Sequence, residues 1–366
     1  MNLHIIQGLG VGGAENVFVE IVQKHVSLSN VVIICILGCQ EDKKNVERLS
    51  NEGFEVVKIF DIKSSEYSLS FRFFNLLAFF VAPLIGFYIL VRTPSISKVF
   101  THMPLALYIG VWIKWLRKLG GSGTILVDTF HTNWYMLKFY YKILFHFLHR
   151  RCDSILVEMG LEEYENFQMR YPDISIYYLP FYNLYLNDEF PVMKNFTYPI
   201  QLLVPMRITF HEKPIELLLN GFAHSKLCNH KNFQLNFVGD GKDFDKLEIL
   251  VVNSKCNNIK LFGSDPELSK NYTNYDLCFA ALGNSELGIA AIESFKNGLG
   301  VVGIGLGKFS GENVLVSIKS SSEMVVLFNE LLNTDKIMEI FERTYNFFEK
   351  KVKDGVALSE YKQLYN

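Results

Sequence analysis

The sequence predicts an α/β protein with two domains, each built around a mainly parallel sheet. Short apolar segments alternate with helical segments through both halves of the chain, which is typical of parallel sheets with helices on their faces. A glycine-rich turn follows the first apolar segment, and an irregular stretch containing Pro180, Pro191 and Pro199 separates the two halves. Two such domains that face each other form a cleft at the carboxyl ends of their strands, where open α/β sheets bind ligands.

The predicted domain boundaries follow from this division. The first domain is expected over residues 1–185 and the second over residues 186–345. A charged helix over residues 346–366 is expected to cross back and pack on the first domain. The length of 366 residues suits two domains of roughly 100–200 residues each.

Each predicted strand is a short apolar run of the kind that lies buried on both faces of a parallel sheet. In the first half, strands are predicted over 3–7, 31–37, 54–60, 97–101, 124–129 and 154–158, with helices over 13–28 and 41–52. In the second half, strands are predicted over 200–205, 233–238, 259–262, 276–280 and 299–303, with helices over 213–228, 242–253 and 286–297. The first helix is amphipathic, and the second is mainly polar.

The composition excludes some classes of function. The chain is 49% hydrophobic with a formal net charge of -2, so no overall basic field indicates a nucleic-acid partner. The six cysteines are scattered without a CxxC pair, which favours buried thiols in a reducing cytoplasm over a zinc site or a disulfide. The chain begins with a strand-like segment and a glycine turn, which is not the pattern of a signal peptide.

The most apolar segment, Leu69–Val91, is nearly long enough to span a membrane, which takes about 20 residues. Arg72, Asn75 and a central Pro83 interrupt it. We therefore expect a buried or interfacial helix rather than a membrane span.

The glycine turn suggests a phosphate-binding loop. Gly8, Gly10 and Gly13 satisfy the GxGxxG pattern, in which glycines allow close approach of the backbone and a helix N-terminus offers free N–H groups. A dinucleotide-binding enzyme would also have an acidic residue at the end of the second strand. The first acidic residues here are Glu41 and Asp42, which lie beyond that strand, so the pattern for NAD is weak.

Two cations lie at a strand end and a helix start in the second half. Arg207 and Lys213 could neutralise a diphosphate, since arginine offers a two-pronged donor and lysine a point charge. On spacing alone, two solvated loop charges are the simpler interpretation. Asp243 and Asp245 form a DxD string in a predicted surface helix, so no metal site is expected from them.

The segment Gly12–Glu15 resembles the GGAE opening of glycosyltransferase family 4, whose members have the GT-B fold. The Arg207…Lys213 pair is similar to the cation pair of that family, with five intervening residues as in the phosphatidylinositol mannosyltransferases. The resemblance extends to a VGDG strand end at Gly239, to Phe262–Ser264, and to a segment with two glutamates, Glu286 and Glu293.

The resemblance implies a role for each of these residues. Gly12 and Gly13 would lie beside the donor diphosphate, which Arg207 and Lys213 would neutralise. Further donor contacts are implied for Gly239, for Ser264 beside the nucleotide base, for Glu286 near the transferring sugar and for Glu293 at the ribose. Glu286 and Glu293 are one residue closer together than is usual in the family, and Glu286 could instead complement a helix dipole.

Two histidines follow predicted strands of the first domain, where side chains point toward ligands. The segment around His131 resembles the cleft histidine segment of the same mannosyltransferases, which implies that His131 lies near the sugar. His102 matches an upstream histidine position less specifically and would lie on the acceptor side. A hydrogen-bonded core histidine remains the alternative for both.

Two stretches, 105–119 and 138–151, combine aromatic residues with cations, including Trp112, Trp115 and Lys118. This composition suits an anionic membrane surface, although buried helices with basic tips would have it too.

The resemblance implies a retaining glycosyltransferase that moves a hexose-type sugar from a nucleotide sugar to a lipid-linked or lipopolysaccharide or capsule glycan. The protein is expected to be bacterial, metal-independent, and cytoplasmic at the inner face of the plasma membrane. Glu158, where the family usually has serine, and the short Glu286–Glu293 spacing leave an alternative open. In that alternative the chain is a catalytically inactive partner that binds a nucleotide sugar or a glycan.

Overall fold

The computed structural model describes most of the chain in two compact units. One unit comprises Met1–Leu184 with Val356–Asn366, and the other comprises Tyr185–Gly355. The described residues are 1–10, 13–26, 31–38, 43–62, 69–131, 137, 139–158, 161–178, 191–192, 196–210, 214–265, 268–281, 288–304 and 316–354. The predicted crossing helix lies largely outside these ranges, so its packing stays a prediction.

The first unit contains a seven-stranded parallel sheet in the order β3-β2-β1-β4-β5-β6-β7. Its strands are β1 (Asn2–Ile6), β2 (Val31–Gly38), β3 (Glu55–Asp61), β4 (Lys98–His102), β5 (Ile125–Phe130), β6 (Ser154–Val157) and β7 (Ser175–Tyr178). Its helices are α1 (Gly13–His25), α2 (Lys43–Asn51), α3 (Leu69–Phe80), α4 (Ala82–Arg92), α5 (Pro104–Leu119), α6 (Phe139–His149) and α7 (Leu161–Arg170). The six predicted strands are present within one or two residues of their expected bounds, whereas β7 was not predicted.

The sheet order brings the carboxyl ends of β4, β5 and β6 side by side. His102 pairs with Thr129 across the β4–β5 register, and Phe130 pairs with Val157 across the β5–β6 register. Residues that directly follow these strands therefore share one edge of the sheet. In the sequence, the apolar run of each of these strands ends at this edge.

The apolar segment 69–91 forms two helices rather than the single helix that was expected. Helices α3 and α4 are bent by 74° at a short break before Pro83. Among the described residues no single helix is long and apolar enough to cross a membrane, but this bent pair passes the length and composition test together. The face of α4 that carries Ile85 and Ile89 is buried against the core, so the pair is only half buried.

The second unit contains a six-stranded parallel sheet in the order β10-β9-β8-β11-β12-β13. Its strands are β8 (Ile200–Pro205), β9 (Phe233–Val238), β10 (Ile259–Leu261), β11 (Leu277–Ala281), β12 (Gly300–Ile304) and β13 (Val316–Ile318). Its helices are α8 (Ile215–Ala223), α9 (Phe244–Ser254), α10 (Leu268–Asn271), α11 (Ile289–Lys296), α12 (Ser321–Glu330) and α13 (Thr334–Asp354), with a short 3-10 helix at Tyr272–Asn274. β13 was not predicted.

The cysteine prediction was partly wrong. Cys228 and Cys256 form a disulfide, with their Cα atoms 5.1 Å apart, although the scattered spacing favoured free thiols. Cys228 lies in the turn segment after α8, and Cys256 lies two residues after the end of α9, 28 positions along the chain. Cys152 and Cys278 are buried free thiols as expected. Cys35 is buried as well.

Candidate functional site

A chain of three buried polar side chains lies at the carboxyl ends of β4, β5 and β6 in the first unit. His102 Nδ1 lies 3.0 Å from His131 Nε2, and His131 Nδ1 lies 2.6 Å from Glu158 Oε2. His102 is fully buried, and the side chains of His131 and Glu158 are 7% and 1% exposed. The parallel order of the strands brings these residues together from positions 27 and 29 apart in the chain.

The pKa values of the two histidines move in opposite directions. Burial alone lowers the pKa of His131, but the charge and hydrogen bond of Glu158 outweigh it, and the pKa is raised above its usual value. Burial, followed by the charges of His131 and His4, holds the pKa of His102 well below the usual value. When protonated, His131 donates one N–H to Glu158 and the other to a neutral His102, which accepts at Nδ1.

Two atoms of the His102–His131–Glu158 group lack a partner within the part of the protein that the structure describes. His102 Nε2 and Glu158 Oε1 are buried and make no hydrogen bond there. A buried polar atom without a partner costs about 1–3 kcal/mol. Such a cost is typical of positions shaped for function, so these two atoms mark the cluster as a candidate site.

Aromatic packing fixes the position of His102. The ring of Phe18 meets it edge-on, with centroids 4.6 Å apart, and His4 lies parallel to it at 5.9 Å. His4 in turn stacks on Phe100 with centroids 4.6 Å apart, and burial lowers the pKa of His4 to about 3. Since these groups leave little space, His102 is held as a rigid neutral acceptor.

A second histidine–carboxylate pair lies deeper in the same unit, and no sequence pattern predicted it. His149 Nε2 lies 2.9 Å from Asp128 Oδ2, and Thr101 Oγ1 donates to Asp128 Oδ1 at 2.7 Å. Both partners are essentially fully buried. Because the residues of this pair are packed among Phe130, Phe145 and other rings, we assign it to the core.

In the second unit the candidate site is formed mainly by main chain. The turn after β9 passes so close to the extension of β8 that a Cβ on Gly239 would lie 2.0 Å from Met206 O. A Cβ on Gly241 would lie 2.3 Å from Ile208 O. Gly239 has a φ of +149°, so a residue without a side chain is required there for two reasons.

Arg207 and Ser264 border these glycines. Gly239 N donates to Gly263 O at 2.7 Å, and Arg207 lies between the two residues that contact the glycines. Arg207 and Ser264 are both exposed. We call the segments 206–208, 239–241 and 263–264 the loop cluster, and it lies at the carboxyl ends of β8, β9 and β10.

Glu293 lies on α11, after β11, which is the neighbour of β8 in the sheet. Its Oε2 accepts a hydrogen bond of 3.1 Å from the hydroxyl of Tyr272. Burial and then the charge of Glu293 raise the pKa of that hydroxyl, so the tyrosine remains a donor. The orientation of Glu293 is thus fixed by a buried partner that the sequence did not reveal.

Several predicted site residues lie outside the described residues. These are Gly12, Lys213 and Glu286, whose proposed roles stay predictions. Gly13 is the first residue of α1, so it lies at a helix N-terminus as the motif requires. Glu158 had been regarded only as a departure from the family pattern, and its contact with His131 was not anticipated.

Comparison with solved structures identifies the fold. No protein-family model and no curated protein sequence matches the chain. HepE of Anabaena, in complex with UDP and glucose, is 13% identical, with 100% of this chain and 98% of that chain covered and a TM-score of 0.69. The pneumococcal O-GlcNAc transferase GtfA, with UDP and GlcNAc, is 14% identical over 100% and 98% of the two chains, with a TM-score of 0.68. The lipopolysaccharide outer core galactosyltransferase WaaB is 18% identical over 97% and 98%, with a TM-score of 0.59.

The chain has the GT-B fold. The predicted fold class, α/β with two Rossmann-like domains, is therefore confirmed. Each unit of this GT-B protein places its candidate residues at the carboxyl edge of a parallel sheet, which is where such sheets bind ligands.

The described part of this GT-B chain contains no group of three or more His, Cys, Asp or Glu that could hold a metal ion. Asp243, from the DxD string, accepts a hydrogen bond from Phe210 N at 2.9 Å and precedes α9. Asp243 therefore joins two loops, and Asp245 is exposed on α9. Metal independence stays a prediction.

Proposed function

We propose that the protein is a glycosyltransferase that moves a hexose-type sugar from a nucleotide sugar to a lipid-linked or lipopolysaccharide or capsule glycan, with retention of configuration. The observation that carries the proposal is the loop cluster, where exposed Arg207 borders glycines pressed against the main chain in a GT-B fold. The similar structures support a nucleotide-sugar donor, because HepE was solved with UDP and glucose and GtfA with UDP and GlcNAc. WaaB, a lipopolysaccharide galactosyltransferase, supports a glycan acceptor of that kind.

The loop cluster would bind the donor diphosphate. Cleavage of the bond to the sugar leaves negative charge on the diphosphate, and Arg207, together with Lys213, would stabilise that charge. A preorganised donor of this kind contributes on the order of 3 kcal/mol to lowering the barrier. The glycines allow main-chain N–H groups to approach the phosphates closely.

The His102–His131–Glu158 chain would serve the sugar side of the reaction. Glu158 would act as a positioning residue, since it keeps His131 protonated and fixes its ring. The Nε2–H of His131 is the group that can exchange its His102 partner for a hydroxyl of a bound sugar. This role would place a positive charge and a donor near the reacting sugar, with His102 toward the acceptor.

Thermal stabilisation of the purified protein across a panel of nucleotide sugars tests the proposal. A true donor at 100 times its Kd adds about 2.7 kcal/mol to the free energy of unfolding. Incubation of that donor with a lipid-linked acceptor should then give a product whose anomeric configuration, measured by NMR, equals that of the donor. The proposal fails if no nucleotide sugar stabilises the protein. Stabilisation without hydrolysis or transfer would instead indicate an inactive binding partner.

A further inference from the structure

The positive charge of the chain is concentrated in one part of the first unit. Residues 69–151 contain ten lysines and arginines but a single acidic residue, Asp128. The whole chain has 36 basic and 38 acidic residues, so the remainder is clearly acidic. Asp128 is 2% exposed and is bonded to His149 and Thr101, so its carboxylate does not neutralise the surface.

The bent helix pair α3–α4 in this region exposes its large apolar side chains, whereas an ordinary surface helix buries them. Its outer face exposes large apolar side chains: Phe73 61%, Leu76 59%, Phe80 77%, Leu84 69%, Phe87 59% and Val91 66%. Its inner face packs smaller or branched residues, including Ala78, Ala82 and Ile85. No charged residue lies between positions 73 and 91. We call the six exposed residues the apolar face, and a continuous patch of this kind marks an interaction site.

Aromatic contacts connect the helix pair to a basic groove. Phe79 stacks on Tyr108 with centroids 5.8 Å apart, and Tyr108 is followed along α5 by Trp112 and Trp115, whose rings meet edge-on. Gly86 of α4 lies against Trp112, which brings the two helices close together.

The groove has a volume of about 550 Å³, and its lining includes the two tryptophans together with Lys118, Arg150 and Arg151. These three cations are exposed, and among the described residues none of them forms an ion pair. Lys114, by contrast, is paired with Asp153 at 2.7 Å. The groove therefore offers uncompensated positive charge beside apolar rings.

We propose that the apolar face and the basic groove together bind the surface of an anionic lipid bilayer. Two short helices of 12 and 11 residues that bend by 74° suit the boundary between headgroups and acyl chains, where they would lie in the plane of the membrane. The tryptophans and the cations match the headgroup layer. A second copy of the chain fits less well, because it would bring the same excess of positive charge against this one.

The surface would give the enzyme access to a lipid-linked acceptor, and in that respect alone the inference rests on the proposed function. Binding to lipid does not require any transfer reaction. The two proposals can therefore fail separately.

Flotation of the full-length protein tests the inference, with vesicles of phosphatidylcholine alone or mixed with phosphatidylglycerol. We expect binding to the mixed vesicles only, and a decrease at high salt. The double variant F80S/F87S should lower partitioning by at least about tenfold, since it removes two large side chains that would enter the bilayer. K118E/R151E should lower binding to the mixed vesicles by about the same factor.

The second unit supplies matched controls. I249S/V252S removes two apolar side chains that are 61% and 76% exposed on α9, and K255E/K260E reverses two exposed charges. Both should leave flotation unchanged. Circular dichroism and nucleotide-sugar stabilisation, measured on every variant, would report on folding and on the proposed donor site independently.

Three outcomes overturn the inference. In the first, the unmodified protein fails to float with anionic vesicles. In the second, F80S/F87S binds as well as the unmodified protein. In the third, light scattering shows a dimer that F80S/F87S abolishes while vesicle binding is absent, which would assign the face to self-association.

Discussion

The two units of the molecule use different means to form their candidate sites. In the first unit the site consists of buried side chains, since His102, His131 and Glu158 are all shielded from solvent and bonded to one another. In the second unit the site consists of main chain, since Gly239 and Gly241 lie against the carbonyls of Met206 and Ile208.

This difference determines what a substitution can change. Buried titratable groups that contact one another shift each other's pKa values. Substitutions in the first unit should therefore alter pKa values and the dependence of activity on pH. The glycines of the loop cluster allow close approach of main-chain segments. Substitutions in the second unit should therefore alter ligand binding or folding, with little effect on titration. Four measurements test this difference between the units.

The largest effect is expected at Arg207, the exposed cation of the loop cluster. Arg207→Ala should lower kcat/KM by roughly 100- to 1000-fold, because it removes a preorganised charge from the leaving diphosphate. Folding should be intact, since the side chain is exposed. Arg343→Ala, which removes another exposed arginine of the same unit, is the control and should retain activity. Near-normal turnover of Arg207→Ala would contradict the assignment of the diphosphate site.

Two glycines of the loop cluster provide a matched pair for stability. Gly239→Ala should destabilise the second unit by at least about 3 kcal/mol, since its Cβ would meet Met206 O and its φ is unfavourable. Gly263→Ala should cost only about 1 kcal/mol, because its φ of +66° is strained but the space around it is open. Chemical denaturation measures both. Equal effects would show that backbone conformation, rather than close approach, determines the requirement for glycine.

Much of this organisation could be predicted from the sequence. The strands were predicted because buried parallel strands are continuous apolar runs, and their ends were marked by glycines or by polar residues. His102 and His131 were identified because they follow such runs, and Gly239 was identified through the resemblance of its strand end to the family pattern. The topology of the fold then guarantees that strand ends share one edge of the sheet.

Contacts between side chains that are distant in sequence could not be predicted in this way. Glu158 contacts His131 because β6 lies beside β5, and no local pattern encodes the direction in which the carboxylate points. The same holds for Tyr272 and Glu293, and for the disulfide between Cys228 and Cys256. The choice between a buried and an interfacial helix for the segment 69–91 also stayed open, because hydrophobicity alone does not tell which face of an apolar helix is covered.

Glu158→Gln tests whether the raised pKa of His131 and the activity depend on the charge of the Glu158 carboxylate. Without the carboxylate, burial dominates and the pKa of His131 should fall below its usual value instead of lying above it. At neutral pH His131 would then be neutral, and activity should fall by roughly 10- to 100-fold. NMR titration of the imidazole and the pH profile of kcat/KM measure the two effects.

The conservative variant Glu158→Asp keeps the charge and should restore part of the activity and of the raised pKa. Glu165→Gln, an exposed change on α7, should leave both unchanged. An unaltered pKa of His131 in Glu158→Gln would show that the carboxylate does not hold the proton on the ring.

The smallest effect is expected from His4, which contributes to stability through its buried neutral ring. Its pKa is lowered to about 3 in the folded protein, whereas the unfolded chain protonates near 6.5. Between these values the unfolded state binds one more proton, so the free energy of unfolding falls as the pH falls, by roughly 1.4 kcal/mol per pH unit.

His4→Phe keeps a ring against Phe100 and should remove this one-proton slope, while buried His102 retains its own. Phe100→Leu disturbs the same stack without removing a titrating group, so it should lower stability equally at each pH. Urea unfolding between about pH 5 and 6.5, above the ordinary range of carboxyl groups, separates the two cases. An unchanged slope in His4→Phe would mean that His4 titrates in the folded protein with a pKa close to its usual value.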